Sequence, residues 1–191
     1  MNFFHLFRRK SHKTIARVEE NNIEKIEHIK EKIAYQSDTL LTDVLRYIKS
    51  NSLNIGVHLN KPATDIEIET FEDIKMALPD DFKLLYKFSN GFETEHDLFR
   101  LIPLEEIIES KLNKNYLAND NSFHFTEYMI YSDMWSVDIS KENINDYCIY
   151  NKAEDVVYLT NSLAEFLCVF INKGIYDGLY EWREIKQRNN K

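Results

Sequence analysis

A chain of 191 residues and 22.8 kDa can bury roughly 70% of the surface its unfolded form exposes, and a composition of 43% hydrophobic and 29% charged residues is that of a globular domain, not a disordered or collagen-like chain. The four glycines, scattered at Gly56, Gly91, Gly174 and Gly178, exclude the glycine-fingered dinucleotide site and the phosphate-cradling loop, which need several glycines close together. The formal charge of −8 divides into five basic and no acidic side chains over residues 1–17 and a net −13 over the remainder, so a direct nucleic-acid partner is not expected, because phosphate affinity comes from Lys and Arg.

Cys148 and Cys168 stand in apolar surroundings and are too few for a metal-ligand quartet, which fits buried thiols in a reducing, cytoplasmic compartment. No apolar run reaches the roughly 18 residues of a membrane span, so stable membrane insertion is not expected. At the N-terminus Phe3, Phe4, Leu6 and Phe7 precede Arg8–Lys10, the reverse of a secretory signal's order. A basic leader or a patch packed on the domain is expected there, with peripheral membrane anchoring as the rival.

From Thr14 to Tyr35 the apolar positions Ile15, Val18, Ile23, Ile26, Ile29 and Ile33 recur at helical spacing and predict an amphipathic helix. A second helix carries Leu40, Leu41, Val44, Leu45 and Ile48, with Ser37 or Asp38 as its cap and Asn51–Asn54 as its end. Ile55, Val57 and Leu59 alternate as an edge strand before Pro62. Thr64-Asp65-Ile66-Glu67 has capping-box spacing, and Ile68, Phe71 and Ile74 supply the buried face of the helix it opens. Pro79 stops that helix, Asp80 or Asp81 starts the next with Phe82, Leu85, Tyr86 and Phe88 inward, and Asn90-Gly91 ends it in a left-handed conformation.

Phe99–Ile102 reads as a strand, Pro103–Ser110 as a short helical turn and Lys111–Asn121 as a loop. Strands at Phe123–Tyr131, Trp135–Ile139, Tyr147–Tyr150 and Val156–Leu159 suit an antiparallel meander. Ser162-Leu163-Ala164-Glu165 repeats the capping-box spacing before an apolar helix ending near Gly174, and Tyr176–Lys191 is expected as a terminal helix packing Leu179, Trp182 and Ile185. The expected fold class is α+β, a mostly antiparallel central sheet covered by helices, with an added N-terminal helical region. Its divisions are a leader and amphipathic helix over 1–36, a domain over 37–174 and a C-terminal helix over 175–191.

Four segments, Pro62-Ala63-Thr64, Leu78-Pro79-Asp80-Asp81-Phe82-Lys83, Phe88-Ser89-Asn90-Gly91 and Leu101-Ile102-Pro103-Leu104-Glu105-Glu106-Ile107, resemble in order and spacing the SUKH superfamily, over residues 62–173. The superfamily holds fungal cell-wall-assembly regulators and bacterial immunity proteins. The resemblance implies a helix-covered antiparallel sheet that binds another protein and performs no catalysis. Bacterial proteins of this kind neutralise a toxin, often a nuclease or deaminase, by covering its active cleft. The chain departs from the pattern at Phe92, where a second small residue is common, in the acidic, glycine-poor loop that follows, and in its long helical region 14–50.

Residues 62–109 hold 13 acidic and 4 basic side chains, either a solvated face or a surface that steers a basic partner, here a cognate protein toxin. Glu93, Glu95 and Asp97 follow the Asn90-Gly91 turn and are candidate partner-binding carboxylates. With His96 they lack the ligand spacing of a metal site. Asp133, Trp135 and Asp138 form a second candidate, with Trp135 either an aromatic anchor or a core residue. The six histidines are dispersed, no nucleophile motif is present, and the apolar neighbours of Cys168 predict an inert thiol. No catalytic, cofactor or metal residue is assigned. The leading expectation is an immunity protein. A regulatory scaffold or signalling adaptor whose basic N-terminal helix recruits a partner is the first alternative, and a small hydrolase with an unrecognised site is the second.

Overall fold

The computed structural model describes residues 32–109 and 117–189, nearly all within the second of two compact units, residues 33–191. The expected helix over 14–35 lies almost wholly outside the described residues.

Seven strands form one sheet in chain order, every neighbouring pair antiparallel: β1 (Val57–Leu59), β2 (Phe92–Thr94), β3 (Phe99–Leu101), β4 (Ser122–Tyr128), β5 (Asp133–Ile139), β6 (Tyr147–Lys152) and β7 (Val156–Thr160). Among the described residues six α-helices accompany it: α1 (Leu41–Asn51), α2 (Asp65–Ile74), α3 (Asp80–Phe88), α4 (Leu104–Glu109), α5 (Leu163–Lys173) and α6 (Glu181–Asn189). The fold is the expected α+β meander. Strand β2 is an addition: Phe92–Thr94, at the start of the acidic stretch, joins the sheet because Phe92 needs a buried site and finds it against Phe170, while residues 95–98, with Glu95 and Asp97, form the expected loop.

An aromatic spine joins the helices to one face of the sheet. Phe82 of α3 meets Phe123, Phe125 and Tyr147 edge-on at centroid distances of 5.2 to 5.6 Å, Phe71 of α2 meets Phe123 at 5.4 Å, and Phe166 of α5 meets Phe125 at 5.2 Å. Edge-to-face geometry sets the positive rim of one ring against the negative face of another, adding directional attraction to the burial of large apolar area.

The helix ends show which side chains satisfy orphan amides. Thr64 and Glu67 make the full capping box. At α5 the Ser162 hydroxyl accepts from the Glu165 amide at 3.2 Å, but the box stays open, because the Glu165 carboxylate takes the Thr160 hydroxyl instead. Neither Ser37 nor Asp38 caps α1; Leu40 occupies that position without a side-chain bond, and the local turn is closed by Thr39, whose hydroxyl accepts from the Gln36 amide at 2.8 Å. Pro79 offers α3 no cap; Asn145 supplies one from another loop, accepting from the Asp80 amide at 2.8 Å and donating to the Asp80 carboxylate at 2.9 Å.

Two expected burial stripes are shorter than their spacing suggests. Ile74 of α2 is exposed while Ile68 and Phe71 are buried. The C-terminal segment is not one helix: Gly174 takes a φ of +72°, residues Ile175–Tyr180 form a π-helical turn closed by Leu179 N–H to Gly174 O at 3.2 Å, and only then does α6 begin. The wider turn changes the angular spacing, so Leu179 is buried, Trp182 is half-buried and Ile185 is exposed.

Candidate functional site

At one end of the sheet the β2–β3 hairpin and the β4–β5 turn lie side by side, joined by the Met129 amide donating to the Leu98 carbonyl at 3.1 Å. The hairpin is pinned from within by the Thr94 hydroxyl, which donates to the Phe99 carbonyl at 2.9 Å and accepts from the Phe99 amide at 3.1 Å. It is pinned to the edge of β1 by the Glu95 amide on the Gly56 carbonyl at 2.9 Å. Glu93, Glu95 and Asp97 are all exposed on this fixed backbone. Glu93 sits opposite His58 on one side and Arg100 on the other. His96 is exposed and lies 3.8 Å from Glu95, and among the described residues no group of three or more His, Cys, Asp or Glu is placed to hold a metal ion.

The second candidate cluster does not assemble as one surface. Trp135 is corrected to a core residue: it is fully buried, 5.7 Å from Phe99 and 5.6 Å from Tyr180. The period of two explains this, since Trp135, Val137 and Ile139 alternate onto the helix-covered face and all three are buried. Asp133, largely buried, accepts from Asn151 at 2.7 Å and from Arg183 at 3.4 Å, so it ties α6 to the sheet. Arg183 in turn lies 4.9 Å from the Tyr180 ring centre. Asp138 points to the opposite face and accepts from Asn119 at 2.6 Å and Tyr158 at 3.1 Å. The Tyr158 phenol is pushed up to about 12 by burial and by this carboxylate.

Beside the acidic hairpin stands a group that sequence reasoning missed. Residues 123–131 were expected as one strand, but β4 ends at Tyr128, and Met129, Ile130 and Tyr131 form a turn with φ of 51°, 54° and 61°. Met129 and Ile130 are 46% and 82% exposed, and the adjoining Leu98, also left-handed at φ 49°, is 62% exposed. Arg100 fastens the turn. Its guanidinium pairs with Glu127 and in bidentate fashion with Glu106, donates to the Tyr131 hydroxyl at 2.9 Å and lies 5.4 Å from that ring's centre, and the Glu127 carboxylate also accepts the Tyr131 amide. The paired carboxylates hold the guanidinium firmly ionised, above its usual range. The available signal was Arg100 itself, the single cation between Lys87 and Lys111 among many acids.

Concavities among the described residues lie elsewhere. A cleft of about 670 Å³ is lined by Met76, Ile107, Leu117, Asn119, His124 and Lys152, among others. A shallower one of about 400 Å³ lies between Asp133, Tyr176 and Arg183. In the first, burial pulls the His124 imidazole down to about 4, so it is neutral at pH 7. Its Nδ1 contacts the Ser136 hydroxyl at 2.6 Å. Burial raises the Cys148 thiol, which favours its protonated form. Among the described residues no helix is long and apolar enough to cross a membrane.

A sequence model of the SMI1 / KNR4 family (SUKH-1) matches residues 62–168, more than half of the chain and the stretch that carries the four motif segments. No curated protein matches the chain.

Proposed function

Because the chain belongs to the SMI1 / KNR4 family (SUKH-1), we propose that it acts as an immunity protein, binding a cognate toxin of nuclease or deaminase type and covering its active cleft. The observation that carries this reading is the β2–β3 hairpin, which holds Glu93, Glu95 and Asp97 exposed on a backbone pinned at both Thr94 and Glu95. Fixed carboxylates attract a cationic surface without first having to be ordered, which favours fast, salt-sensitive encounter. An enzyme that cleaves nucleic acid presents such a surface, since its substrate is a polyanion.

Co-expression with the toxin domain encoded beside the gene tests the reading. The expected result is rescued growth and a complex that co-elutes on gel filtration. Absence of both removes the immunity function. Reversing the hairpin charges with Glu93→Lys, Glu95→Lys and Asp97→Lys is expected to slow association about tenfold or more at low salt, a larger effect than the destabilisation that a lysine opposite Arg100 brings. Association rates indifferent to both charge and salt place the interface elsewhere.

A further inference from the structure

Met129 and Ile130 are apolar, exposed and held in a conformation that costs L-residues energy. A β-branched residue at positive φ is a genuine outlier, since its Cβ substituents crowd the backbone. Tyr131 continues the same left-handed run. Asn or Gly would serve such a turn more easily, so the exposed methionine and isoleucine are not explained by local folding. The turn is nevertheless tied down by hydrogen bonds: its closing amide, Ser132 N–H, donates to the Tyr128 carbonyl at 3.1 Å, the Ser132 hydroxyl donates to the Met129 carbonyl at 2.7 Å, and Glu127 and Arg100 hold Tyr131.

We infer that Leu98, Met129 and Ile130 form an apolar anchor that enters a hydrophobic pocket on a basic protein surface; this rests on the immunity reading and names the contact that retains the toxin once the acidic hairpin has attracted it. The charge around the anchor selects the occupant. Glu95 and Asp97 precede Leu98 directly, and Asp97 is close enough to Tyr128 to help push its phenol up to about 12, after the larger effect of the Tyr176 hydroxyl. A second copy of the chain would bring the same carboxylates into opposition, and an anionic lipid surface would be repelled likewise. A partner with Lys or Arg rimming an apolar pocket matches both features, the arrangement in which a desolvated centre carries affinity and a charged rim carries rate.

The probe is the purified toxin domain encoded beside the gene, inactivated, with binding kinetics recorded at two salt concentrations. The Leu98→Ser/Ile130→Ser variant is expected to dissociate about tenfold faster or more, with the salt dependence of association intact. The Glu93→Lys/Glu95→Lys/Asp97→Lys variant is expected to do the reverse, associating slowly and leaving slowly. Ile66→Ser, at an equally exposed isoleucine of α2, is the control and is expected to change neither rate. If Leu98→Ser/Ile130→Ser binds within about threefold of wild type, or Ile66→Ser loses as much, the anchor is overturned and the acidic-surface reading stands. A wild-type chain that does not bind overturns both.

A measurement without the partner guards against a merely structural role. Ile130→Asn is expected to raise the melting temperature by a few degrees while weakening binding, because Asn accepts the left-handed backbone and no packing is lost. A lowered melting temperature would show that Ile130 serves its own fold and overturn the inference. So would a wild-type dimer in sedimentation that Leu98→Ser/Ile130→Ser abolishes, since the anchor's occupant would then be a second copy.

Discussion

Arg100 and Glu127 face each other across β3 and β4, and the Glu127 carboxylate divides its oxygens between two donors, Oε1 taking the Arg100 guanidinium and Oε2 the Tyr131 amide. Glu127 is 3% exposed, so its charge depends on these partners for the solvation that water no longer supplies. Loss of the guanidinium would strand a buried carboxylate and release Tyr131 together. Arg100→Met is therefore expected to cost about 3 to 5 kcal/mol in urea denaturation, and Arg100→Met/Glu127→Met clearly less than the sum of its two singles. A loss under about 1 kcal/mol for Arg100→Met would show that the network is dispensable.

Trp135 offers a second measurement. Packed against Phe99 and Tyr180 with no exposure, it contributes through volume and contact area. Trp135→Ala is expected to destabilise the fold by about 3 to 5 kcal/mol and Trp135→Phe by less. Trp135→Phe is also expected to leave partner kinetics unchanged and to remove a blue-shifted component of the fluorescence, leaving half-buried Trp182 as the emitter. Tenfold weaker binding by a fully folded Trp135→Phe would return this residue to the interface.

The fold was legible where periodicity and punctuation agreed. The Thr64 capping box is made in full, the Phe82–Leu85–Tyr86 face is buried, and Trp135, Val137 and Ile139 share one buried face of β5, although Met134 and Ser136 between them are buried too. The same alternation could have assigned Trp135 to the core. Reading failed where the chain breaks its own local rules: no Gly, Asn or Pro marks the Met129–Tyr131 turn, so an apolar run continued past the strand's end, and nothing in sequence distinguishes a π turn at Ile175–Tyr180 from the first turn of an α-helix. The candidate site was legible in its charges, because Glu93, Glu95 and Asp97 follow a turn. Its apolar part was not, because its exposure arises from backbone conformation and not from composition.

His124 makes stability depend on pH. Its folded value of about 4 lies below the 6.5 of an unperturbed imidazole, so between these values the unfolded chain binds more protons than the folded one. Its contribution is complete above about pH 6.5 and is lost as pH falls toward 4, by up to about 3 kcal/mol for burial of this size. Asp120 and Lys152 line the same cleft, and burial is the cause of the shift. His124→Gln is expected to flatten unfolding free energy against pH across that window. Parallel curves for wild type and variant would mean that His124 protonates without disturbing the fold.

The family-like segments earn their spacing by bonding to one another. Asn90 accepts from the Leu104 amide at 2.9 Å and donates to Glu105 at 2.8 Å, so the side chain of Ser89-Asn90-Gly91 orients the start of α4 in the Pro103-Leu104-Glu105 segment. The Ser89 hydroxyl bonds back to the Gly91 carbonyl at 2.5 Å. Gly91 itself has a φ of +94°, and a Cβ there would meet Asn60 Nδ2 at 2.8 Å, the Leu101 carbonyl at 2.9 Å and Pro103 Cγ at 3.0 Å. Gly91→Ala combines backbone strain with a clash against a carbonyl that the sheet holds in place, and is expected to cost about 2 to 4 kcal/mol. Asn90→Ala leaves the Leu104 amide buried without an acceptor and is expected to cost about 1 to 3 kcal/mol. Hydrogen exchange separates the two: Asn90→Ala should deprotect amides of α4 first, whereas Gly91→Ala should deprotect β2 and β3 together. Loss of binding to the proposed partner in either variant at full melting temperature would show that these segments contact that partner as well as hold the fold.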